Sequence, residues 1–102
     1  FVFQGTRDGR SCDAIYTMTL TGEEVRMLSN GQGRTTCAFF SPDGESVVFS
    51  STHLADLECP PPPDMSQGYT WAVYPGFDIF RVPAAGGTRP PTRSRACATC
   101  AP

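Results

Sequence analysis

The 102-residue chain has no lysine, a single histidine and no apolar run long enough to span a membrane. All eight of its basic residues are arginine, the formal net charge is −2, and residues 1–88 carry no basic stripe, so the composition argues against a nucleic-acid partner. No signal peptide is visible, and the chain opens on Phe1 rather than on an initiator methionine. We therefore expect a fragment of a longer protein, without a membrane span.

Sequence motifs for catalysis are also missing. The chain has no Gly-x-Ser-x-Gly elbow and no phosphate-binding loop, and the segment 31–34, Gly-Gln-Gly-Arg, lacks the third glycine of a nucleotide-binding fingerprint. Asp8, Asp43 and Asp78 stand in or beside turns, where aspartate usually bends or caps the backbone. These features predict no catalytic residues and no cofactor.

The segment 41–50, SPDGESVVFS, joins a tight turn to a β-branched run. Pro42 presets φ at the first central position of a turn, Asp43 bonds its own backbone, and Gly44 tolerates positive φ. An Asp-Gly pair between two apolar runs is a strong hairpin signal. The sequence predicts an antiparallel hairpin over residues 37–50, with 37–40 as a short inner strand buried on both faces.

A second copy of this unit occurs earlier in the chain. The segment 1–6, FVFQGT, resembles 47–52 at an offset of 46, and 13–18, DAIYTM, resembles 77–82 at an offset of 64. The extra 18 residues of the second copy fall in the insertion 54–76, where a run of four prolines makes regular structure unfavourable. A period of roughly 40–45 residues with about four short strands is typical of a propeller blade. Strands are expected at 1–4, 14–19, 25–28 and 36–40.

With these motifs in this order, FVFQGTRDG, DAIYTMTLTG, SPDGESVVFSS and FDIFRVPAAGG, the chain resembles the WD-like β-propeller repeats of TolB-type proteins. The resemblance implies an all-β fold of antiparallel β-propeller blades. Residues 1–88 then form a partial β-propeller, with blade portions 1–35 and 36–88 and the long inserted loop 54–76. Because a complete propeller needs at least four blades, the remaining blades are expected to be missing from this chain. The family would place the protein in the periplasm or, more broadly, among secreted proteins.

The segment 89–102 differs from the rest in composition. Residues 1–80 contain four arginines and ten acidic residues, whereas residues 81–102 contain four arginines and no acidic residue. From Gly87 onward no aliphatic or aromatic residue larger than alanine occurs apart from proline and cysteine. We expect 89–102 to be a disordered or non-native tail.

Three of the five cysteines fall in loops that a propeller blade brings to one face: Cys12, Cys37 and Cys59. In an oxidising compartment two of them are expected to form a disulfide, with Cys12–Cys37 as first choice and Cys37–Cys59 as second. Adding His53 gives three thiols and an imidazole, the ligand set of a tetrahedral zinc site. Cysteine-rich loops that lie near one another more often contain a disulfide or unreactive thiols than a zinc ion, so no metal is assigned.

The same loop face collects residue types that dominate protein-interface hot spots. An aromatic stretch in the insertion is interpreted as a partner-binding lid, and the alternative is that its aromatic residues fold the loop onto its own blade. The leading hypothesis is a noncatalytic scaffold that binds a protein or peptide partner through this face. The alternatives are the propeller domain of a larger serine peptidase-type enzyme and a Cys/His metal-binding propeller. Candidate partner-binding residues are Arg7, Arg34, His53, Tyr69, Trp71 and Tyr74.

Overall fold

Two antiparallel β-sheets pack against each other in the computed structural model, which describes residues 1–71, 73–87 and 90–93. Sheet 1 has the strand order β1-β2-β3 and sheet 2 the order β4-β5-β6-β7. The described ranges contain no helix, and so none that could cross a membrane. The predicted all-β, antiparallel class is confirmed. The strands are β1 (Val2–Gly5), β2 (Ala14–Thr17), β3 (Arg26–Met27), β4 (Thr35–Phe40), β5 (Ser46–Ser51), β6 (Asp78–Pro83) and β7 (Thr92–Arg93).

The predicted hairpin is formed by β4 and β5. The Ser41 amide donates to the Ser46 carbonyl at 2.8 Å, and the Gly44 amide, with φ at +73°, donates to the Ser41 carbonyl at 2.8 Å. Asp43 accepts from the Ser41 hydroxyl and the Glu45 amide, which lowers the pKa of its carboxyl below the ordinary value. The turn chemistry of this segment therefore sets the register of the hairpin.

One part of the hairpin prediction is wrong. The first strand is an edge strand of sheet 2, and Phe39 and Phe40 on it are exposed rather than buried on both faces. A register irregularity between Thr36 and Phe39 interrupts its pairing with β5, and Cys37 has φ of +57° there. A bulge of this kind turns part of the strand out of the regular ladder, which the apolar run alone did not reveal.

The internal repeat seen in the sequence is present in the strand pairing. Val2 pairs with Thr17 in sheet 1, and adding the offsets 46 and 64 gives Val48 and Arg81, which pair in sheet 2. The other three β1–β2 pairs follow the same rule, so β5 and β6 repeat β1 and β2 residue by residue. The strands β3 and β7 extend the repeat, because each pairs with the equivalent part of the preceding strand.

The two sheets stack in the same orientation, so sheet 1 contacts sheet 2 through one face and sheet 2 contacts sheet 1 through the opposite, non-equivalent face. Ile15 of β2 faces sheet 2, whereas its equivalent in the repeat, Ile79, lies outside the main core. Phe80 of β6 faces sheet 1, and its equivalent Tyr16 lies on the opposite face from Ile15, because side chains alternate along a strand. The core between the sheets consists of Ile15, Leu28, Val47, Phe49, Phe80 and Val82. Each of its large side chains contributes about 1.5–3 kcal/mol by leaving water.

The insertion and the C-terminal segment attach to sheet 2. Residues 52–77 connect β5 to β6, and the described part of the insertion contains no strand, as its prolines predict. Thr92–Arg93, inside the segment 89–102, pair as β7 with Phe80 and Arg81, although both residues are exposed. Residues 88, 89 and 94–102 lie outside the described ranges, so the tail beyond Arg93 stays a prediction.

Candidate interaction surface

The insertion is tied to sheet 1 by a disulfide between Cys12 and Cys59, whose Cα atoms are 5.7 Å apart. Cys12 lies in the connection between β1 and β2, and Cys59 directly precedes the proline run of the insertion. A second tie is made by the backbone, where the Gly33 amide donates to the Leu57 carbonyl at 2.8 Å. The start of the long insertion is therefore fixed to two neighbouring connections.

The expected disulfide is present, but both predicted pairings are wrong. Cys37 is an exposed free thiol. It sits in the bulge of β4, where its amide donates to Oε1 of Gln4 at 2.9 Å and the Thr36 hydroxyl donates to the same oxygen at 2.8 Å. These bonds tie the bulge to β1 rather than to the insertion.

The zinc alternative loses its ligand set for the same reason. Two of its three thiols, Cys12 and Cys59, are consumed in the disulfide. Within residues 1–71, 73–87 and 90–93, no cluster of three or more His, Cys, Asp or Glu side chains has the arrangement of a metal site.

Tyr74 anchors the other end of the insertion. Its hydroxyl donates to the Pro61 carbonyl at 2.8 Å and accepts from Nη1 of Arg34 at 3.4 Å. The Arg34 guanidinium also lies over the Tyr74 ring, 5.5 Å from the centroid, in cation–π geometry. Of the candidate residues, Arg34 and Tyr74 thus contact each other and hold the loop in place.

Tyr69 and Trp71 form the exposed part of the insertion. Their rings meet edge to face at 6.5 Å, and the two side chains are 79% and 77% exposed. Val73 is 82% exposed. The Thr70 hydroxyl donates to the Asp64 carbonyl at 3.2 Å, which closes this part of the loop on itself. Tyr69, Trp71 and Val73 therefore project into solvent from a loop whose backbone is held at both ends.

His53 is not part of this exposed surface. Its ring is buried and packs 4.2 Å from the Phe80 ring, and Nδ1 lies 2.7 Å from the Ser51 hydroxyl. Burial lowers the pKa of His53 below its ordinary value, and the negative charge of Asp78 only partly opposes this shift. The histidine closes the end of the core beneath the start of the insertion.

Ser51, His53 and Asp78 have the residue types of a hydrolase triad but a different geometry. The serine hydroxyl contacts Nδ1, the nitrogen that a triad orients towards its carboxylate. Ser51 is fully buried, and the Asp78 carboxylate accepts from the Arg93 guanidinium at 2.7 Å. The serine is therefore not placed to attack a substrate.

Arg7 belongs to a separate region on the outer face of sheet 1. Its guanidinium lies over the Tyr16 ring, 5.7 Å from the centroid. The turn from Arg7 to Arg10 has positive φ at both central residues, Asp8 and Gly9, and closes with a 3.0 Å backbone hydrogen bond. A cavity of about 450 Å³ here is lined by Arg7, Asp8, Arg10, Tyr16, Val25 and Met27.

Comparison of the chain with protein-family models, with curated proteins and with solved structures gives no significant match. The functional argument therefore depends on the geometry of this chain alone. That geometry separates the candidate residues into an exposed group, Tyr69 and Trp71, and an anchoring group, Arg34 and Tyr74. His53 is buried, and Arg7 packs on Tyr16.

Proposed function

We propose that this chain is part of a noncatalytic protein-interaction scaffold and that the insertion 54–76 docks a protein or peptide partner. The observation that carries the proposal is the exposed Tyr69–Trp71 pair on a loop anchored by a disulfide and by Tyr74. Aromatic residues of this kind supply most of the binding energy at many protein interfaces. Exposed apolar side chains that lie next to one another often mark protein-interaction sites.

Anchoring of the loop supports the same proposal on energetic grounds. Association costs about 0.5–1.5 kcal/mol for each flexible side chain that must be ordered, and more when a loop backbone must be fixed. The Cys12–Cys59 disulfide and the Tyr74–Pro61 hydrogen bond impose part of that order before binding. A partner that covers Tyr69 and Trp71 then gains their apolar burial at a smaller entropic cost.

The wider context that we propose is a TolB-like β-propeller in the periplasm. Stacking of two repeated sheets with the same face forward supports a propeller, because such an arrangement can continue by adding further sheets on both sides. The disulfide favours an oxidising, extracytoplasmic compartment. The scaffold is preferred over a metal-binding propeller because two of the required thiols are joined to each other.

The experiment compares partner capture by matched variants. The intact chain is immobilised under oxidising conditions and exposed to a periplasmic extract, and the bound proteins are quantified by mass spectrometry. The Tyr69→Ala/Trp71→Ala variant should capture at least ten-fold less of the partner that the unchanged chain enriches. Leu20→Ala is the control, because Leu20 is 82% exposed in the separate β2–β3 connection.

Equal capture by the aromatic double variant and by the unchanged chain would refute the role of the insertion. Equal loss in the Leu20→Ala variant would show that capture follows exposed apolar area in general. In either case the scaffold proposal fails at this surface.

A further inference from the structure

The insertion contains four consecutive prolines, residues 60–63, outside any strand. Each proline ring fixes φ near about −65° and leaves no amide to donate, so such a run favours the polyproline II helix, which has three residues per turn. Exposure follows this period, because every third residue from the start of the run is partly buried and those between are exposed. The partly buried residues are Pro60 and Pro63, and the exposed ones are Pro61, Pro62, Asp64 and Met65.

Hydrogen bonds to the main chain of this segment have the same period. The Pro61 carbonyl accepts from the Tyr74 hydroxyl at 2.8 Å, and the Asp64 carbonyl, three positions later, accepts from the Thr70 hydroxyl at 3.2 Å. Among the described residues, no donor reaches the Pro62 carbonyl. The returning half of the insertion therefore holds one side of the segment, and the Pro62 carbonyl is free to accept from another molecule.

The exposed rings of Pro61 and Pro62 form what we call the proline ridge. The Cys12–Cys59 bond fixes the residue directly before the run, and the Tyr74 hydroxyl holds the carbonyl within it. Because prolines already restrict the backbone, a partner that binds the ridge orders few additional bonds. The ridge is thus presented in the conformation that aromatic-lined grooves recognise.

The residues that flank the ridge are acidic. Residues 54–76 contain no lysine, arginine or histidine, and their acidic residues, all exposed, are Asp56, Glu58 and Asp64. The Asp64 carboxylate accepts from the Ser66 amide at 2.9 Å, which lowers the pKa of its carboxyl below the ordinary value. A partner that approaches the ridge therefore meets negative charge on both sides of the prolines, which favours basic groups on its own surface.

We propose that the proline ridge binds the aromatic-lined groove of a separate protein domain, and that basic side chains on the rim of this groove pair with Glu58 and Asp64. Aromatic side chains of the groove pack against the proline rings, and a tyrosine or tryptophan donates to the Pro62 carbonyl. The acidic flanks favour such a groove over a second copy of this chain, whose insertion carries the same negative charge. The inference rests on the proposed function of the insertion and names the class of partner, but it uses side chains other than Tyr69 and Trp71.

Purified SH3, WW and EVH1 domains serve as probes, because their grooves recognise polyproline II segments. Each domain is titrated into the intact, oxidised chain, with affinity measured by calorimetry and the contact site by NMR. At least one domain with a basic groove rim should bind and shift the amide signals of Asp64 and Met65. Its affinity should fall as the salt concentration rises, because the pairing with the acidic flanks is screened.

Proline variants of the chain test the ridge itself. Pro61→Ala/Pro62→Ala removes both exposed rings and keeps the carbonyl to which Tyr74 donates. It should weaken binding about ten-fold or more, as expected when the central contacts of an interface are truncated. Pro75→Ala is the matched control, because Pro75 is an exposed proline of the same insertion outside the run. It should leave the affinity unchanged, and circular dichroism should confirm that both variants are folded.

A charge variant tests the flanks. Glu58→Gln/Asp64→Asn keeps the side-chain oxygen that accepts from the Ser66 amide and removes two negative charges. It should weaken binding and flatten its dependence on salt. The same salt dependence in this variant and in the unchanged chain would contradict the pairing with a basic rim.

The proposal is overturned if none of the three domains binds, or if the folded Pro61→Ala/Pro62→Ala variant binds as well as the unchanged chain. It is also overturned if sedimentation detects a dimer of the chain that this variant disperses, because a second copy then occupies the ridge. The Tyr69→Ala/Trp71→Ala variant should bind the domain with unchanged affinity, and an equal loss there would show that the ridge is not a site of its own. Failure of the aromatic pair in partner capture is therefore distinguishable from failure of the proline ridge.

Discussion

The Arg34 guanidinium covers the Tyr74 ring and donates a hydrogen bond to its hydroxyl. Arg34, which immediately precedes β4, thus holds in place a residue of the insertion that lies 40 positions later. The same hydroxyl donates to the Pro61 carbonyl. Tyr74 thereby links the proline run, the end of the insertion and sheet 2. Its partly buried ring distinguishes it from Tyr69, which makes no comparable bond among the described contacts.

We predict that Tyr74→Phe loosens the insertion while keeping the ring over which Arg34 lies. The loss of the hydroxyl removes two hydrogen bonds, and since both are partly or fully exposed the expected cost is only about 0.5–1 kcal/mol. Hydrogen exchange should become faster at the amides of 64–71, and the sheets should be unaffected. Tyr69→Phe is the control. Equal exchange in the two variants would contradict the anchoring role of Tyr74.

The Cys12–Cys59 pairing predicts that different cysteine variants differ strongly in their free energy of unfolding. Cys12 and Cys59 are separated by 47 positions, and closing a loop of that size stabilises the folded chain by about 4 kcal/mol in the chain-entropy model. Cys12→Ser/Cys59→Ser should therefore lower the free energy of unfolding by several kcal/mol, measured by urea denaturation. Cys37→Ser should change it by less than about 0.5 kcal/mol, because this thiol is exposed. Peptide mapping without reduction that found Cys37 linked to Cys12 or Cys59 would disprove the pairing.

Alanine substitutions at Gly33 and Gly44 should distinguish the free-energy cost of backbone strain from the cost of a steric contact. Gly33 and Gly44 both have positive φ, +62° and +73°. A Cβ on Gly44 would meet no atom within 4 Å, whereas one on Gly33 would lie 2.7 Å from the Thr52 hydroxyl oxygen and 2.8 Å from the His53 amide nitrogen. Gly44→Ala should cost about 1–2 kcal/mol from the left-handed conformation alone. Gly33→Ala should cost more, because backbone must also move. Similar urea midpoints for the two variants would show that the contact at Gly33 is relieved without cost.

We predict that the free energy of unfolding decreases in mild acid because His53 is buried. Burial lowers the pKa of the folded-state imidazole, while the unfolded chain should titrate near the ordinary value of about 6.5. The unfolded state therefore binds the proton more readily, and the contribution of neutral His53 is present above about pH 6.5 and lost as the pH falls towards the folded-state pKa. An NMR titration of this single histidine should give a pKa below 6.5. A value above 6.5, or the same pH dependence of unfolding in His53→Gln, would contradict the prediction.

Local chemistry made much of the fold predictable. The Ser41–Gly44 turn residues set the hairpin, and the offsets 46 and 64 identified the repeat whose two copies are the β1–β2 and β5–β6 pairs. These features depend on short-range backbone preferences and on period-two alternation, which are written directly in the sequence.

The roles of individual site residues were less predictable, because they depend on contacts between distant segments. Nothing local marks Cys37 as a bulge residue bonded to Gln4, or shows that His53 lies beneath the insertion against Phe80. The sequence also did not distinguish Tyr74, which anchors the loop, from Tyr69, which is exposed. Val73 was missed as an exposed residue, because an irregular loop has no hydrophobic periodicity from which burial can be predicted.

The loops that join the equivalent strands differ in length between the two repeats. The β1–β2 connection has 8 residues, 6–13, and the β5–β6 connection has 26, 52–77, yet the strands they join pair in the same register. Loop-closure entropy grows only with the logarithm of length, so this three-fold difference costs about 1 kcal/mol. The Cys12–Cys59 bond joins the longer connection to the shorter one and outweighs that cost. The β5–β6 connection is thus a place where the protein can change its outer surface by lengthening or exchanging a loop, with the ladder of either sheet left as it is.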